Sequence, residues 1–133
     1  MKQWTYVQSN GELISPEGET VYHGYSGLGI WKNDPASEAL VDKGPIPAGQ
    51  WLIDLRPIQS PKTGPYTLIL TPNGHPAHER SAFRIHGDSA THPGAASHGC
   101  IIMPRGVRER IVAAGVVALN VIARPLPRVA PHG

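Results

Sequence analysis

The chain has 133 residues, 40% of them hydrophobic, with 12 Lys and Arg against 10 Asp and Glu and a formal charge of +2. That length fits one domain around one modest core and leaves no room for a second catalytic unit, and the apolar content is too high for a disordered chain. The mild basicity suits weak attraction to anionic cell-wall polymers or phospholipid; the cations are too scattered for a nucleic-acid stripe, and no run of about 18 apolar residues occurs to span a membrane.

With 15 Gly and 14 Pro and almost no long helical periodicity, the chain reads as short strands joined by many turns. Trp4 to Gln8 alternates polar and bulky residues as a strand does. Ser9-Asn10-Gly11 turns the chain, and Glu12 to Ser15 completes an N-terminal hairpin. Pro16-Glu17-Gly18 is a second turn leading into Thr20 to Gly24, and Tyr25 to Gly49 reads mostly as loop, with a helical turn at Pro35 to Leu40. Gln50 to Arg56 and Tyr66 to Thr71 are the clearest strands, linked by the turn-rich stretch Pro57 to Pro65. Pro72 to Ser81 is polar, Ala82 to His86 a short strand with His86 at its end, and residues 87 to 99 a loop of small and polar residues. The single helix is predicted over Pro104 to Ala114, with proline near its first turn, Val107, Ile111 and Ala114 on one face and Gly115 as the stop. Val116 to Ala123 is a final buried strand. The domain thus spans residues 1 to 123, and residues 124 to 133 form an extended Pro-rich tail. The fold class is mainly β, with one short helix after the cysteine.

The chain's only cysteine, Cys100, stands in Ala96-Ser97-His98-Gly99-Cys100-Ile101-Ile102. A lone cysteine forms no internal disulfide, so it is either an apolar filler or a thiol kept for its reactivity. His98 and Gly99 directly before it make a polar, tight-turning segment unlike a core strand, which favours reactivity. His86 stands fourteen residues upstream in Phe83-Arg84-Ile85-His86-Gly87-Asp88, and the loop between them is long enough to bring imidazole and sulfur together. A neighbouring imidazolium would lower the thiol pKa and favour the nucleophilic thiolate. Backbone amides at Gly99 and Cys100 suit an oxyanion. Asp88 either orients a histidine or caps a turn, Ser97 either closes a turn or holds the loop near the thiol, and His98 either supports the site or faces solvent. His86, Asp88, His98 and Cys100 carry donors that suit zinc, but their spacing matches no common structural zinc motif. His23, His75, His78, His92 and His132 fit no pattern and read as surface residues. Tyr25, Trp31, Trp51 and Tyr66 are candidates for lining a groove, with packing the competing role for Trp51 and Tyr66.

The histidine, short spacer and Ser97-His98-Gly99-Cys100 resemble the signature of YkuD-type L,D-transpeptidase catalytic domains. The chain is most similar to the small L,D-transpeptidase-like effectors of type VI secretion systems. It shares with them Gly24-Tyr25-Ser26-Gly27 and Gly44-Pro45-Ile46-Pro47-Ala48-Gly49, followed by a strand opening on an aromatic residue. Two departures stand out: the spacer from His86 is shorter than in most cell-wall enzymes, and the usual Asn or Arg two places after the cysteine is Ile102, with Arg105 a candidate substitute.

The resemblance implies a small L,D-transpeptidase-like β-sandwich or barrel, with Cys100 as nucleophile, His86 as general base and Ser97, His98, Gly99 and Asp88 around them. It implies attack on the third stem residue of peptidoglycan tetrapeptides and expulsion of terminal D-alanine. Water then gives L,D-carboxypeptidase action and an amine gives transpeptidation, with no metal or organic cofactor required. Its implied partners are peptidoglycan stem peptides, a cognate immunity protein and secretion-system components. The segment Met1 to Tyr6 lacks the apolar core of a secretory signal, so the expectation is synthesis in the cytoplasm and delivery to the periplasm of a target bacterium by another machine. A housekeeping L,D-transpeptidase is the alternative within the same chemistry. A non-catalytic wall-binding module with a structural thiol is the competing class.

Overall fold

The computed structural model describes residues 2–127. Ten strands form one mixed sheet: β1 (Trp4–Val7), β2 (Glu12–Ile14), β3 (Thr20–His23), β4 (Tyr25–Ser26), β5 (Gly49–Ile53), β6 (Ile58–Ser60), β7 (Gly64–Pro72), β8 (Arg84–His86), β9 (Ile101–Ile102) and β10 (Ala118–Ile122). A single α-helix, α1 (Arg105–Ala114), precedes β10, so the mainly β class with one helix holds. The strands pair in the order β3-β2-β1-β10-β5-β7-β8-β9-β4, with β6 attached to β7. Two pairings, β1 with β10 and β8 with β9, are parallel; the others are antiparallel.

The strand order reveals how the sheet closes. β3 and β4 occupy its two opposite ends, yet they are consecutive in the chain and only Gly24 separates them. Consecutive Cα atoms lie about 3.8 Å apart, so the sheet must curl until its edges nearly meet. The two-sheet sandwich thus gives way to the barrel-like alternative. At this seam the Gly24 amide donates to the Gly11 carbonyl at 2.9 Å. A Cβ on Gly24 would collide with the Ile102 carbonyl, and one on Gly11 with the Gly24 carbonyl. Two glycines therefore permit the closure.

Alternation along the strands fills the interior. Trp4 and Tyr6 of β1, Trp51 and Ile53 of β5, Leu68 and Leu70 of β7, Ile85 of β8, and Leu119 and Val121 of β10 are all buried in one cluster. The helix adds Ile111, with Val107 and Val112 packed against the cluster. Its buried face differs from the predicted one: Arg108 is buried and Ala114 exposed. Pro104 is the N-cap rather than a first-turn residue, and Gly115, at φ 70°, ends the helix in the left-handed conformation that glycine tolerates.

Several elements lie in stretches read as loop. β4 falls within residues 25–49, beside 3₁₀ turns at Gly29–Trp31 and Pro35–Ser37, and β6 falls within the 57–65 connection. The turn at Pro35–Ser37 matches the expected helical turn, with the Asp34 carboxylate accepting from the Ala36 amide at 3.1 Å. Residues 124–127 are exposed and carry no helix or strand. Met1, the rest of the expected tail and His132 lie outside the described residues. Among those residues no helix is long and apolar enough to cross a membrane.

Candidate active site

Parallel pairing of β8 with β9 brings His86, the last residue of β8, near Cys100, the residue just before β9. The register sets Ile85 beside Ile101 and His86 beside Ile102. Ile85 and Ile101 are fully buried in the core, so alternation turns Arg84, His86 and Cys100 to the other face. There all three line a cavity of about 920 Å³, together with Ser60, Lys62, Glu79, Arg80, Asp42 and His98 among others. Cys100 is partly accessible, and its Sγ lies 3.7 Å from the Ala82 carbonyl. Among the described residues no hydrogen bond joins Sγ to the His86 ring.

The imidazole is oriented by its own strand end. Nδ1 of His86 lies 2.9 Å from the Gly87 carbonyl, which only accepts, so Nδ1 carries the proton and the neutral ring keeps its lone pair on Nε2. Burial pushes the His86 pKa below its ordinary value, and the charges of Arg108 and Arg84 push the same way against the Gly87 carbonyl and Asp88. Burial also pushes the Cys100 thiol up, opposed by the Arg84 amide and by the Arg84 and Arg80 guanidinium charges. Both directions favour the uncharged pair over the expected imidazolium and thiolate, and the cations that act on the sulfur are Arg84 and Arg80.

The loop between them is tied down by residues of the motif. Ser97 is fully buried; its hydroxyl donates to the Cys100 carbonyl at 2.6 Å and accepts from the Gly27 and Gly99 amides at 2.9 and 3.1 Å. It thus closes the turn and holds the loop to the neighbouring segment at once. The Gly99 amide is occupied by this bond, which removes it from the pair of expected oxyanion donors. Gly99 itself has φ 139°, and a Cβ there would strike the Arg80 guanidinium. Ser26 links two further motif segments, donating to the Gly99 carbonyl at 3.0 Å and accepting from the Ile46 amide at 2.8 Å. The segments at 24–27, 44–49 and 97–100, distant in sequence, are one hydrogen-bonded unit.

Among the described residues Asp88 bonds no histidine. Its carboxylate accepts from the Tyr25 hydroxyl at 2.6 Å, the Ser89 amide at 2.8 Å and the Gly94 amide at 3.1 Å. Burial works against the charge, but these donors hold the carboxyl below its usual range. Asp88 is a loop organiser, the turn-capping role, and Tyr25 is its partner rather than a groove wall. His98 is exposed at the cavity rim, with Nδ1 3.2 Å from the Asp42 carbonyl. Arg105 lies on the helix surface, stacked on Tyr66 at 4.3 Å and paired with Glu109 at 3.6 Å, so it does not substitute for the residue missing at Ile102. Trp51 is in the core, and Trp31 lies under Lys43. His23, His78 and His92 are exposed, as expected; His75 is half-buried, its Nε2 2.8 Å from the Gln50 carbonyl and its ring edge-on to Trp51. Among the described residues no three His, Cys, Asp or Glu side chains converge as a metal site.

Two arginines escaped the sequence reading. Arg80 is only 8% exposed and donates to four backbone carbonyls: Glu38 at 2.6 Å, Pro45 at 2.8 Å, Gly44 at 3.0 Å and His98 at 3.2 Å. Its guanidinium also lies 5.0 Å from the Phe83 ring centre. The chain reaches it through three successive left-handed residues, Ala77, His78 and Glu79, at φ 51°, 55° and 60°. Such conformations cost roughly 1–2 kcal/mol each in residues other than glycine, and the Arg80 bonds offset that cost. Arg84 lines the cavity beside the thiol, held by its Nη1 on Ser60 Oγ at 3.0 Å. Neither signal was strong in sequence: Arg80 sits in the polar stretch Pro72 to Ser81 without periodicity, and Arg84 in a strand too short for its alternation to single it out.

A family model described as the Tlde1 domain matches residues 20–125. No curated protein and no solved structure matches the chain.

Proposed function

The chain belongs to the Tlde1 domain family, a family of type VI secretion effector domains, and from that premise we propose that it is a cysteine L,D-carboxypeptidase or L,D-transpeptidase acting on peptidoglycan tetrapeptide stems. The observation that carries the reading is one cavity shared by Cys100 and a buried, oriented His86. In the proposed reaction Nε2 of His86 takes the thiol proton as Sγ attacks the carbonyl of the third stem residue. The new C–S bond gives a tetrahedral oxyanion, for which the Cys100 amide is the remaining backbone donor. Collapse breaks the C–N bond, and the departing D-alanine amine takes the proton from His86. Water, or an amine in exchange, then opens the thioester and frees the sulfur.

The neutral ground state of the pair suits this sequence. A neutral imidazole is already competent as a base at neutral pH, and the thiol need ionise only as it attacks. The arginines near the sulfur favour the anion as it forms. Depletion of tetrapeptide donors would starve cross-linking in a target cell, which ties the chemistry to an antibacterial effector acting in the periplasm.

A growth experiment tests this reading. Four strains carry the chain with or without an export signal, each as wild type or Cys100→Ala. The expected result is swelling or lysis only in the strain exporting the wild type. Equal harm from the unexported protein, or from both exported forms, would sink the peptidoglycan reading.

A further inference from the structure

We propose that Arg84 is the substrate-binding residue that reads the free terminal carboxylate of the acyl donor, which makes the site an exopeptidase site. The inference rests on the peptidase reading above and names how that site recognises the end of its substrate. Its starting point is the cavity wall beside the thiol. On β9, the strand that begins just after the cysteine, Ile102 is apolar and 3% exposed. Arg105 is engaged with Tyr66 and Glu109 on the helix surface.

The neighbouring strand supplies what β9 lacks. The β8–β9 register sets Ile85 beside Ile101, so Arg84 comes level with Cys100, and alternation turns it toward the cavity it lines. Arg84 is half-buried, its guanidinium is anchored at one nitrogen by Ser60, and among the described residues it pairs with no carboxylate. Arg80, by contrast, spends its donors on four backbone carbonyls. Arg84 is thus the cavity arginine with donors left for a ligand. The other charged groups of the lining have neighbours of their own. Lys62 belongs to the 58–63 segment that anchors Arg84, whereas Asp42 acts on the Arg80 guanidinium and Glu79 adjoins Arg80 in sequence. An arginine beside the thiol suits a carboxylate, and a planar guanidinium binds one through two parallel charge-assisted hydrogen bonds. With the anion held one residue beyond the scissile bond, a stem ending in a single D-amino acid fits, and a longer or capped stem loses the contact.

The test compares two synthetic tetrapeptide donors that differ only at the terminus, a free carboxylate and the corresponding amide. For the wild type, kcat/KM favours the carboxylate donor. In Arg84→Gln that preference falls by about thirtyfold, the scale of one charge-assisted pair, and most of the loss appears in KM. Arg84→Lys, which keeps the charge without the fork, retains part of the preference and guards against a folding defect. A wild type indifferent to the amide cap, or an Arg84→Gln variant slowed equally on both donors, overturns the role of Arg84 while leaving the peptidase reading intact. Intact-mass detection of an acyl group on Cys100 separates the two levels: absence of both turnover and acyl-enzyme with either donor overturns the reaction itself, and the inference with it.

Discussion

Replacing Arg80 with alanine should both destabilise the domain and loosen the thiol. Four carbonyls lose their donor, and those of Gly44 and Pro45 are buried against it at 3.0 and 2.8 Å. Hydrogen bonds to a charged group contribute about 1.5–3 kcal/mol each, so the two buried ones set a range of about 3–6 kcal/mol. Arg80 also lines the cavity, and water entering the vacated space would satisfy part of that demand, which places the expected loss near the lower end, about 3 kcal/mol. For a domain of this size that corresponds to a fall in Tm of roughly 10 °C. The second effect follows from the bond between Nη2 and the His98 carbonyl at 3.2 Å, two residues before the nucleophile. Without it the 97–100 turn keeps the contact of His98 Nδ1 with the Asp42 carbonyl but loses its tie through Arg80 to the 38–45 segment, and with the charge gone the thiol titrates higher still. Thermal unfolding followed by circular dichroism, with the alkylation rate of Cys100 against pH, measures both. Arg80→Lys should recover part of the thiol reactivity and little of the stability, because an ammonium does not span four carbonyls. A Tm within about 2 °C of wild type in Arg80→Ala would refute the assignment of Arg80 as the tie between these segments.

His86→Ala should reduce turnover by at least about a hundredfold, the usual range for a general acid–base group; a loss below about threefold would remove it from the reaction. Because burial lowers the His86 pKa below its ordinary 6.5, the base form persists under that value, and the acidic limb of the rate profile should lie below the ordinary histidine range. The same shift has a stability sign: a depressed folded-state pKa contributes stability above the unfolded value that is lost as pH falls through the folded one. Denaturant midpoints of the wild type should therefore decline on acidification more steeply than those of His86→Gln, and parallel curves would contradict the burial of that ring. Gly24→Ala should cost about 2–3 kcal/mol, typical of overpacking, since its Cβ meets the Ile102 carbonyl at the seam; an unchanged unfolding midpoint would show that the sheet edges do not meet there.

The sequence revealed the longer elements and the chemistry more readily than the closure of the fold. Gln50 to Arg56 and Tyr66 to Thr71 stood out because their Trp, Leu, Ile and Tyr content is dense enough to mark a strand, and the helix because Gly115 ends it. β4, β6 and β9 were not legible: two or three residues carry no periodicity, and each is a strand only because a partner already lies beside it. For the same reason the sequence left sandwich and barrel as alternatives, since closure depends on Gly11 and Gly24 meeting across the seam. In the site, Cys100 and His86 were found through their motif, and the structure places both on one cavity. Asp88 had two readings that residue type alone could not separate, and Tyr25 decided between them. Arg84 was missed because it comes level with Cys100 only once β8 and β9 pair, and Arg80 because a buried guanidinium bonded to carbonyls leaves no pattern in sequence. Its value lies in segments 18 to 42 residues away.

The central claim is that Cys100 cuts the peptide stem of peptidoglycan at the bond before its terminal D-amino acid. Mass spectrometry of purified tetrapeptide fragments, before and after incubation with wild-type protein and with Cys100→Ala, tests it most directly. The account predicts loss or exchange of the terminal D-alanine with the wild type, an acyl group transiently on Cys100, and unchanged fragments with a folded Cys100→Ala variant. Intact tetrapeptides with the wild type, cleavage elsewhere in the polymer, or equal turnover by Cys100→Ala would contradict it.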